Sequence, residues 1–205
     1  DDGHTNVVGH DALDFFERPK DSEGNPKGEN RAYLYDRNKY LREGVFDVIL
    51  TNPPFGSVVK RTEKGAGYLE QFDLRNYIGK GRGDGDEDDG GASTVKKAPK
   101  AAKERASIKT EILFLERIHS FLKPGTGRAA VVLPDGILTN SSLQGVRNWL
   151  LERFQLLAVV SLPQYAFAHY DAGVKASIVF LRRLKKGEVV KPETPVFMAL
   201  AENIG

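Results

Sequence analysis

The sequence has no cysteine, and only one methionine and one tryptophan in 205 residues. Without cysteine there are no disulfides, no thiolate metal ligands and no sulfur nucleophile, a composition compatible with a reducing cytoplasm. No apolar run approaches the roughly 20 residues that a membrane-spanning helix requires. The opening stretch "DDGHTNVVGHDA" has neither the basic start nor the apolar core of a secretory signal. Charge of one sign is also scarce. Charged residues make up 28% of the chain, yet the formal net charge is +2, so no global positive excess points to a nucleic-acid partner. His4, His10, His119 and His169 share no metal-ligand spacing with one another or with carboxylates, and no metal site is expected. These absences lead to the expectation of a soluble, cytoplasmic protein without a membrane partner, whose contacts with DNA or RNA come from local patches.

What is present suffices for one packed core, with 40% of residues hydrophobic. Short apolar runs rich in β-branched residues recur: "TNVVGHDAL", "VFDVILTNPP", "GRAAVVLPDG", "LLAVVSLPQ" and "KASIVFLRRL". Glycine and proline punctuate them as they do buried strands. Helical signals lie between. In "SIKTEILFLERIHSFLKPG" the residues Ile108, Ile112, Leu115, Ile118 and Leu122 form one apolar stripe, and Pro124-Gly125 supplies the stop. His119 is expected at the edge of this helix. A second helix is expected from about Asn140 to Phe154, capped by Asn140 or Ser141, with Leu143, Val146, Leu150 and Phe154 facing inward. Strands alternating with helices predict an α/β fold around a mostly parallel sheet, its strands buried on both faces and its ligands gathered at their carboxyl ends.

From about residue 79 to 106 the composition changes to "GKGRGDGDEDDGGASTVKKAPKAAKERA", poor in large apolar residues and rich in glycine, alanine and charge. Such a segment cannot bury enough surface to order itself, and a mobile insertion is expected. Asp84, Asp86 and Asp88 alternate as in a calcium loop, but Asp89 stands at the position of the required glycine and Val95 at that of the bidentate Glu. The glycines of "GKGRGDG" lack the preceding strand and following Lys-Ser/Thr of a phosphate loop. The lysines of the basic half could touch a phosphate backbone or simply keep a tether solvated. A polar excursion is expected at 17–31.

The distinctive stretch is "VFDVILTNPPFGS", where an apolar strand runs into Asn52-Pro53-Pro54-Phe55. Alone, the tetrapeptide could be a strand terminator with Phe55 in the core. Its residue types nevertheless converge on one reaction. The exocyclic amino group of adenine is a poor nucleophile because its lone pair is delocalised into the ring. Two acceptors, the side-chain oxygen of Asn52 and the main-chain carbonyl of Pro53, would engage both N–H bonds and favour the geometry that develops during attack. Proline fixes its own φ and holds the preceding residue extended, so Pro53 and Pro54 keep those acceptors rigid at the strand end. Phe55 offers a face for base stacking, worth about 1–3 kcal/mol.

"FDVILTNPPFGS" resembles the catalytic motif of S-adenosyl-L-methionine-dependent amino-group methyltransferases, in their adenine-N6 branch. "IKTEILFLERIHSFLKPGTGRAAVVLPDGIL" and "FQLLAVVSLPQYAFAHYDAGVKASIVFLRR" are similar to the modification subunit of type I restriction-modification systems. The resemblance covers most of residues 4–185 outside the charged insertion. It implies a Rossmann-like methyltransferase fold and transfer of a methyl group to adenine N6 in double-stranded DNA, the base being flipped out of the duplex. It also implies a specificity subunit and a restriction subunit as partners. Residue by residue, it gives Asn52, Pro53, Pro54 and Phe55 the catalytic roles above. It makes Asp11, with Ala12 beside it, the acidic residue that hydrogen-bonds the cofactor's adenine, and Asn52 a further cofactor neighbour. The local alternative for Asp11 is a helix cap. Phe167 becomes the second aromatic against the flipped base, with Tyr165 and Tyr170 as competitors and ordinary packing as the alternative.

The chain departs from the family pattern in one respect: the Gly-rich cofactor loop after the first strand has no counterpart before Asp11. Residues 1–205 are therefore expected to form the second part of a catalytic domain, incomplete and inactive in isolation, with weak cofactor binding at best. Two other readings stay open: a methyltransferase acting on a protein glutamine or an RNA base, and a non-catalytic assembly or binding module.

Overall fold

The structure, a computed structural model, describes residues 11–13, 42–60, 68–78, 107–164, 166–167 and 174–202. Most of the strand expected at 5–13, the excursion at 17–31, the insertion at 79–106, Tyr165 and Tyr170 lie outside the described residues.

Seven strands are described: β1 (Val48–Thr51), β2 (Val58–Lys60), β3 (Ser107–Lys109), β4 (Arg128–Pro134), β5 (Phe154–Ser161), β6 (Ala176–Arg183) and β7 (Phe197–Leu200). Three helices, α1 (Thr110–Phe121), α2 (Asp135–Thr139) and α3 (Gln144–Arg153), are joined by short 3-10 turns at Leu69–Gln71, Asp73–Asn76 and Ser141–Leu143. Five strands form one sheet in the order β1-β4-β6-β5-β7, while β2 and β3 pair separately. The fold class is α/β, as expected, but the described sheet is mixed rather than mostly parallel. β1 runs parallel to β4 and β7 to β5, whereas β6 is antiparallel to both β4 and β5. Among the described residues no helix lies between β5 and β6, and β6 returns from the end at which β5 stops. β4 and β5 are linked through α2 and α3, and they point the same way with β6 between them.

Burial alternates along the strands instead of covering both faces. Ala129, Val131 and Leu133 of β4 and Val179 and Leu181 of β6 are buried. On β1, Val48 and Leu50 are 62% and 77% exposed while Ile49 packs against the core. One face of the sheet therefore carries the helical layer, and the outer strand is covered on one side only.

α1 starts later than the apolar stripe suggests. Ser107–Lys109 pairs antiparallel with Val58–Lys60, so Ile108 enters the core from a strand rather than from the helix. The stop signal acts as expected: α1 ends at Phe121, ahead of Pro124, and the N–H of Gly125 donates to the Arg183 carbonyl at 3.0 Å. The second helical region is broken into α2, a 3-10 turn and α3. Asn140 caps the turn, its side chain accepting from the Ser142 N–H at 2.9 Å. Leu143, Val146 and Leu150 are buried as expected, and so is Phe154, from the first position of β5.

The helical layer is closely knit. Trp149 and Phe154 are almost fully buried, and the His119 ring meets both edge-on, with centroids 5.7 and 5.3 Å away. His119 is thus half-buried, at the edge of the buried face of α1 and packed against both rings. Burial and the neighbouring Arg183 and Arg153 lower its pKa to about 4, so it is neutral at physiological pH. Glu116 accepts the N–H groups of Asp73 and Leu74 at 2.9 and 2.8 Å and so fastens the Asp73–Asn76 turn to α1. Burial raises its pKa against the pull of those two hydrogen bonds. Asp73 in turn accepts from Trp149 Nε1 at 3.2 Å and Arg153 Nη2 at 3.1 Å. α3 approaches this turn so closely that a Cβ on Gly145 would lie 1.8 Å from the Tyr77 carbonyl oxygen. Only glycine fits at that contact.

Candidate active site

β1 places Asn52 at the carboxyl end of the sheet. The strand is held in register from Val48 opposite Arg128 to Thr51 opposite Val131, and its approach is tied down by Lys123 N–H to Phe46 O and Arg128 N–H to Asp47 O, both 2.9 Å. Lys123 Nζ adds an ion pair to Asp47 at 2.7 Å. Beyond the strand, Asn52 is exposed, Pro53 buried, Pro54 exposed and Phe55 half-buried. Buried Pro53 anchors the loop, while Asn52 makes no hydrogen bond in the described structure and its amide faces no competitor for a ligand.

Gly56 then turns the chain with φ +72°, a left-handed conformation that L side chains rarely adopt. The carbonyl of Ser57 accepts the Thr110 N–H at 2.9 Å, and β2 joins β3. The loop is thereby fixed at both ends, in the sheet by β1 and against the start of α1 by β2. Nothing in the sequence announced the second anchor, because Val58-Val59 and Ser107–Lys109 are distant in the chain.

Phe167 comes to this loop from the connection between β5 and β6. Its ring meets that of Phe55 edge to face, with centroids 5.6 Å apart and planes at 81°. A tight turn precedes it, closed by Ala166 N–H to Pro163 O at 3.1 Å, and Leu162 N–H donates to Ala176 O at 3.0 Å across the base of the connection. The two aromatic residues picked out in the sequence are therefore brought together. Two half-buried rings at this spacing form an apolar platform three residues from Asn52 in the loop, an arrangement suited to a flat π system carrying an amino group.

Asp11 and Ala12 are exposed on a short turn in which Asp11 Oδ1 accepts the Leu13 N–H at 3.0 Å. Leu13 is buried in the core and moors this turn to the body of the protein. The Asp11 side chain thus caps one backbone N–H, and the residues that would form a helix after it lie outside the described residues.

Sequence reasoning missed Asp135 and Ser177, at the same end of the sheet. Ser177 Oγ donates to Asp135 Oδ1 at 2.7 Å, and the Asp135 N–H donates to Lys175 O at 2.9 Å. "LPDG" reads as a strand end followed by a turn, and nothing in it signals a partner on β6.

Among the described residues with displaced pKa values, Glu116, Arg117, His119 and Arg183 surround α1, and Glu188, its pKa lowered by its hydrogen bond with Arg182, lies at the other end of the sheet. A cavity of about 530 Å³ lies at the other end of the sheet, between α3 and the 184–190 segment. Its lining is largely apolar, and its carboxylates are engaged, Glu152 with Arg153 and Glu188 with Arg182. Among the described residues, no three His, Asp or Glu side chains are grouped so as to hold a metal ion, and no helix is long and apolar enough to cross a membrane.

Comparison with known proteins gives a consistent picture. The model of the N-6 DNA Methylase family matches residues 88–204. The type I restriction enzyme EcoEI methylase subunit of Escherichia coli is 33% identical over 138 residues, which is 67% of this chain and 21% of that protein. The EcoKI methylase subunit of E. coli K12 is 35% identical over 83 residues, 40% of this chain and 15% of that protein. Among solved structures, the type I restriction-modification methyltransferase subunit from Streptococcus thermophilus covers 70% of this chain with 24% of its own, at 23% identity and a TM-score of 0.43. The chain spans about a fifth or less of the length of the curated relatives it matches.

Proposed function

The chain belongs to the N-6 DNA Methylase family, and on that premise we propose that the full-length protein methylates adenine N6 in duplex DNA, with S-adenosyl-L-methionine as donor. What supports this reading most is the meeting of Phe55, three residues after an exposed Asn52 at the carboxyl end of β1, with Phe167. In this reading the target adenine leaves the base stack and lies against Phe55, with Phe167 packing from a second side. Asn52 Oδ1 and the Pro53 carbonyl accept the two amino hydrogens. They draw electron density towards nitrogen and favour its pyramidal form, and rigid Pro53 and Pro54 hold both acceptors without reorganisation. Asp11 and Ala12 would hold the adenine of the cofactor, and Asn52 would also border it. When bound, the cofactor supplies a methyl group activated by a sulfonium. The nitrogen gains that methyl and gives up one proton to solvent, so no residue of the loop needs to act as a base.

The residue content of the loop supports adenine as acceptor. The similarity to the EcoEI and EcoKI methylase subunits supports the role of a cytoplasmic modification subunit working with a specificity and a restriction subunit. The test is Asn52→Ala in the full-length protein, followed by transfer of labelled methyl groups into unmodified phage DNA and digestion to nucleosides. N6-methyladenine should form with the unaltered protein and fall by two orders of magnitude or more in the variant. Label recovered in protein glutamine or RNA, or undiminished by the substitution, would overturn the reading.

A further inference from the structure

A series of hydrogen bonds, joined through neighbouring residues of the chain, leads from the turn before Phe167 to a single carboxylate. The Ala166 N–H donates to Pro163 O at 3.1 Å, and beside Pro163 the Leu162 N–H donates to Ala176 O at 3.0 Å. Ala176 lies between Lys175, whose carbonyl accepts the Asp135 N–H at 2.9 Å, and Ser177, whose hydroxyl donates to Asp135 Oδ1 at 2.7 Å. Asp135 itself is the first residue of α2, and Thr139 Oγ1 donates back to its carbonyl at 2.9 Å. Asp135 thus grips the residues on either side of Ala176, the point where the connection carrying Phe167 closes onto β6.

The energetics make this grip consequential. Ser177 is 3% exposed and lies opposite Leu133, so its hydroxyl has no water to turn to if the carboxylate is removed. At this end of β6, Ser177 stands in the ladder opposite Leu133 of β4 and Ser161 of β5, and the Asp135 contacts add a tie between the start of the strand and the turn after β4.

We propose that Asp135 is a positioning residue for the aromatic platform: through Ser177 and Lys175 it sets where Phe167 meets Phe55, and hence how well a base is held for reaction. The inference rests on the methyl-transfer reading for its consequence, but the placement of Phe167 can be observed without any reaction. The role requires an acceptor at Oδ1 and not a negative charge, so an amide should serve.

The experiment uses the full-length protein with 4-fluorophenylalanine at position 167, read by fluorine NMR, together with methyl transfer into unmodified phage DNA. Phe55→Leu calibrates the ring-current shift that the neighbouring ring produces. In D135N the resonance should stay where it is in the unaltered protein, and turnover should remain within twofold. In D135A it should move towards the Phe55→Leu position, and turnover at saturating DNA should fall about fivefold to tenfold, with the KM for S-adenosyl-L-methionine unchanged. S177A should show the same change at smaller amplitude and guards against a D135A protein that fails to fold. An unmoved resonance in both D135A and S177A overturns the proposal. So does a D135N protein as impaired as D135A, since that would make the charge, not the grip, the essential property. If Asn52→Ala leaves methylation intact, the methyl-transfer reading fails, and the fluorine shifts still decide what Asp135 does.

Discussion

The helical layer beneath the sheet and the loop at the sheet's carboxyl end are built to opposite specifications. Around α1 and α3 the polar side chains are knitted into the packing: Asp73 serves Trp149 and Arg153, Glu116 serves two backbone N–H groups, and Arg117 is paired with Glu43 and stacked on Phe121. At the loop, among the described residues, the Asn52 side chain is exposed without a hydrogen bond, and Phe55 is half-buried against Phe167. A group already satisfied within the protein cannot be offered to a ligand. The displaced pKa values at α1 follow from burial within tight packing, whereas the Asn52 amide stays exposed at the loop.

This contrast predicts that stability and activity separate cleanly between the two regions. The largest effect on folding should come from Trp149→Ala, which empties a core position and leaves Asp73 short of a donor. A loss of about 3–5 kcal/mol is expected, measurable as a lowered denaturant midpoint. Asn52→Ala should do the reverse, shifting stability by no more than about 0.5 kcal/mol, as for an exposed side chain, while methylation falls by the equivalent of about 3 kcal/mol. If Asn52→Ala unfolded the protein, the division between the regions would be false.

Glu116→Ala tests the same division at smaller scale. Two N–H groups at the Asp73–Asn76 turn lose their acceptor, and about 1–3 kcal/mol of stability should go with them. Glu116→Gln, which keeps one acceptor oxygen, should recover part of the loss in thermal unfolding.

The smallest effect is the pH dependence through His119. Its pKa in the fold, about 4, lies below its ordinary value of 6.5. Between these values the unfolded chain takes up a proton that the folded ring does not. The stabilisation is therefore complete above pH 6.5 and is lost as the pH falls towards 4. Because the ring is only partly enclosed, the loss should be on the order of 1–2 kcal/mol. His119→Phe retains the edge contacts and should flatten the stability profile across this window, as measured by urea unfolding at pH 7 and pH 4.5. An unchanged slope would mean that His119 is not the group responsible.

Several features were legible in the sequence because short-range physics sets them. Proline restricts φ wherever it stands, so Asn52-Pro53-Pro54-Phe55 after a β-branched run had to be a rigid strand end. The apolar spacing from Ile112 to Leu122 and the Pro124-Gly125 stop located α1, and the runs at 128–134, 154–161 and 176–183 located β4, β5 and β6. The amino-acid order alone thus located α1, β4, β5 and β6 and placed Asn52 at the end of β1. The tertiary structure decided the direction of β6, the pairing of Ser107–Lys109 with Val58–Lys60, the packing of His119 against two aromatic rings, the meeting of Phe167 with Phe55 and the grip of Asp135 on Ser177. Each of these joins residues far apart in the chain, where no local propensity acts and the outcome depends on which surfaces become neighbours once the core is packed.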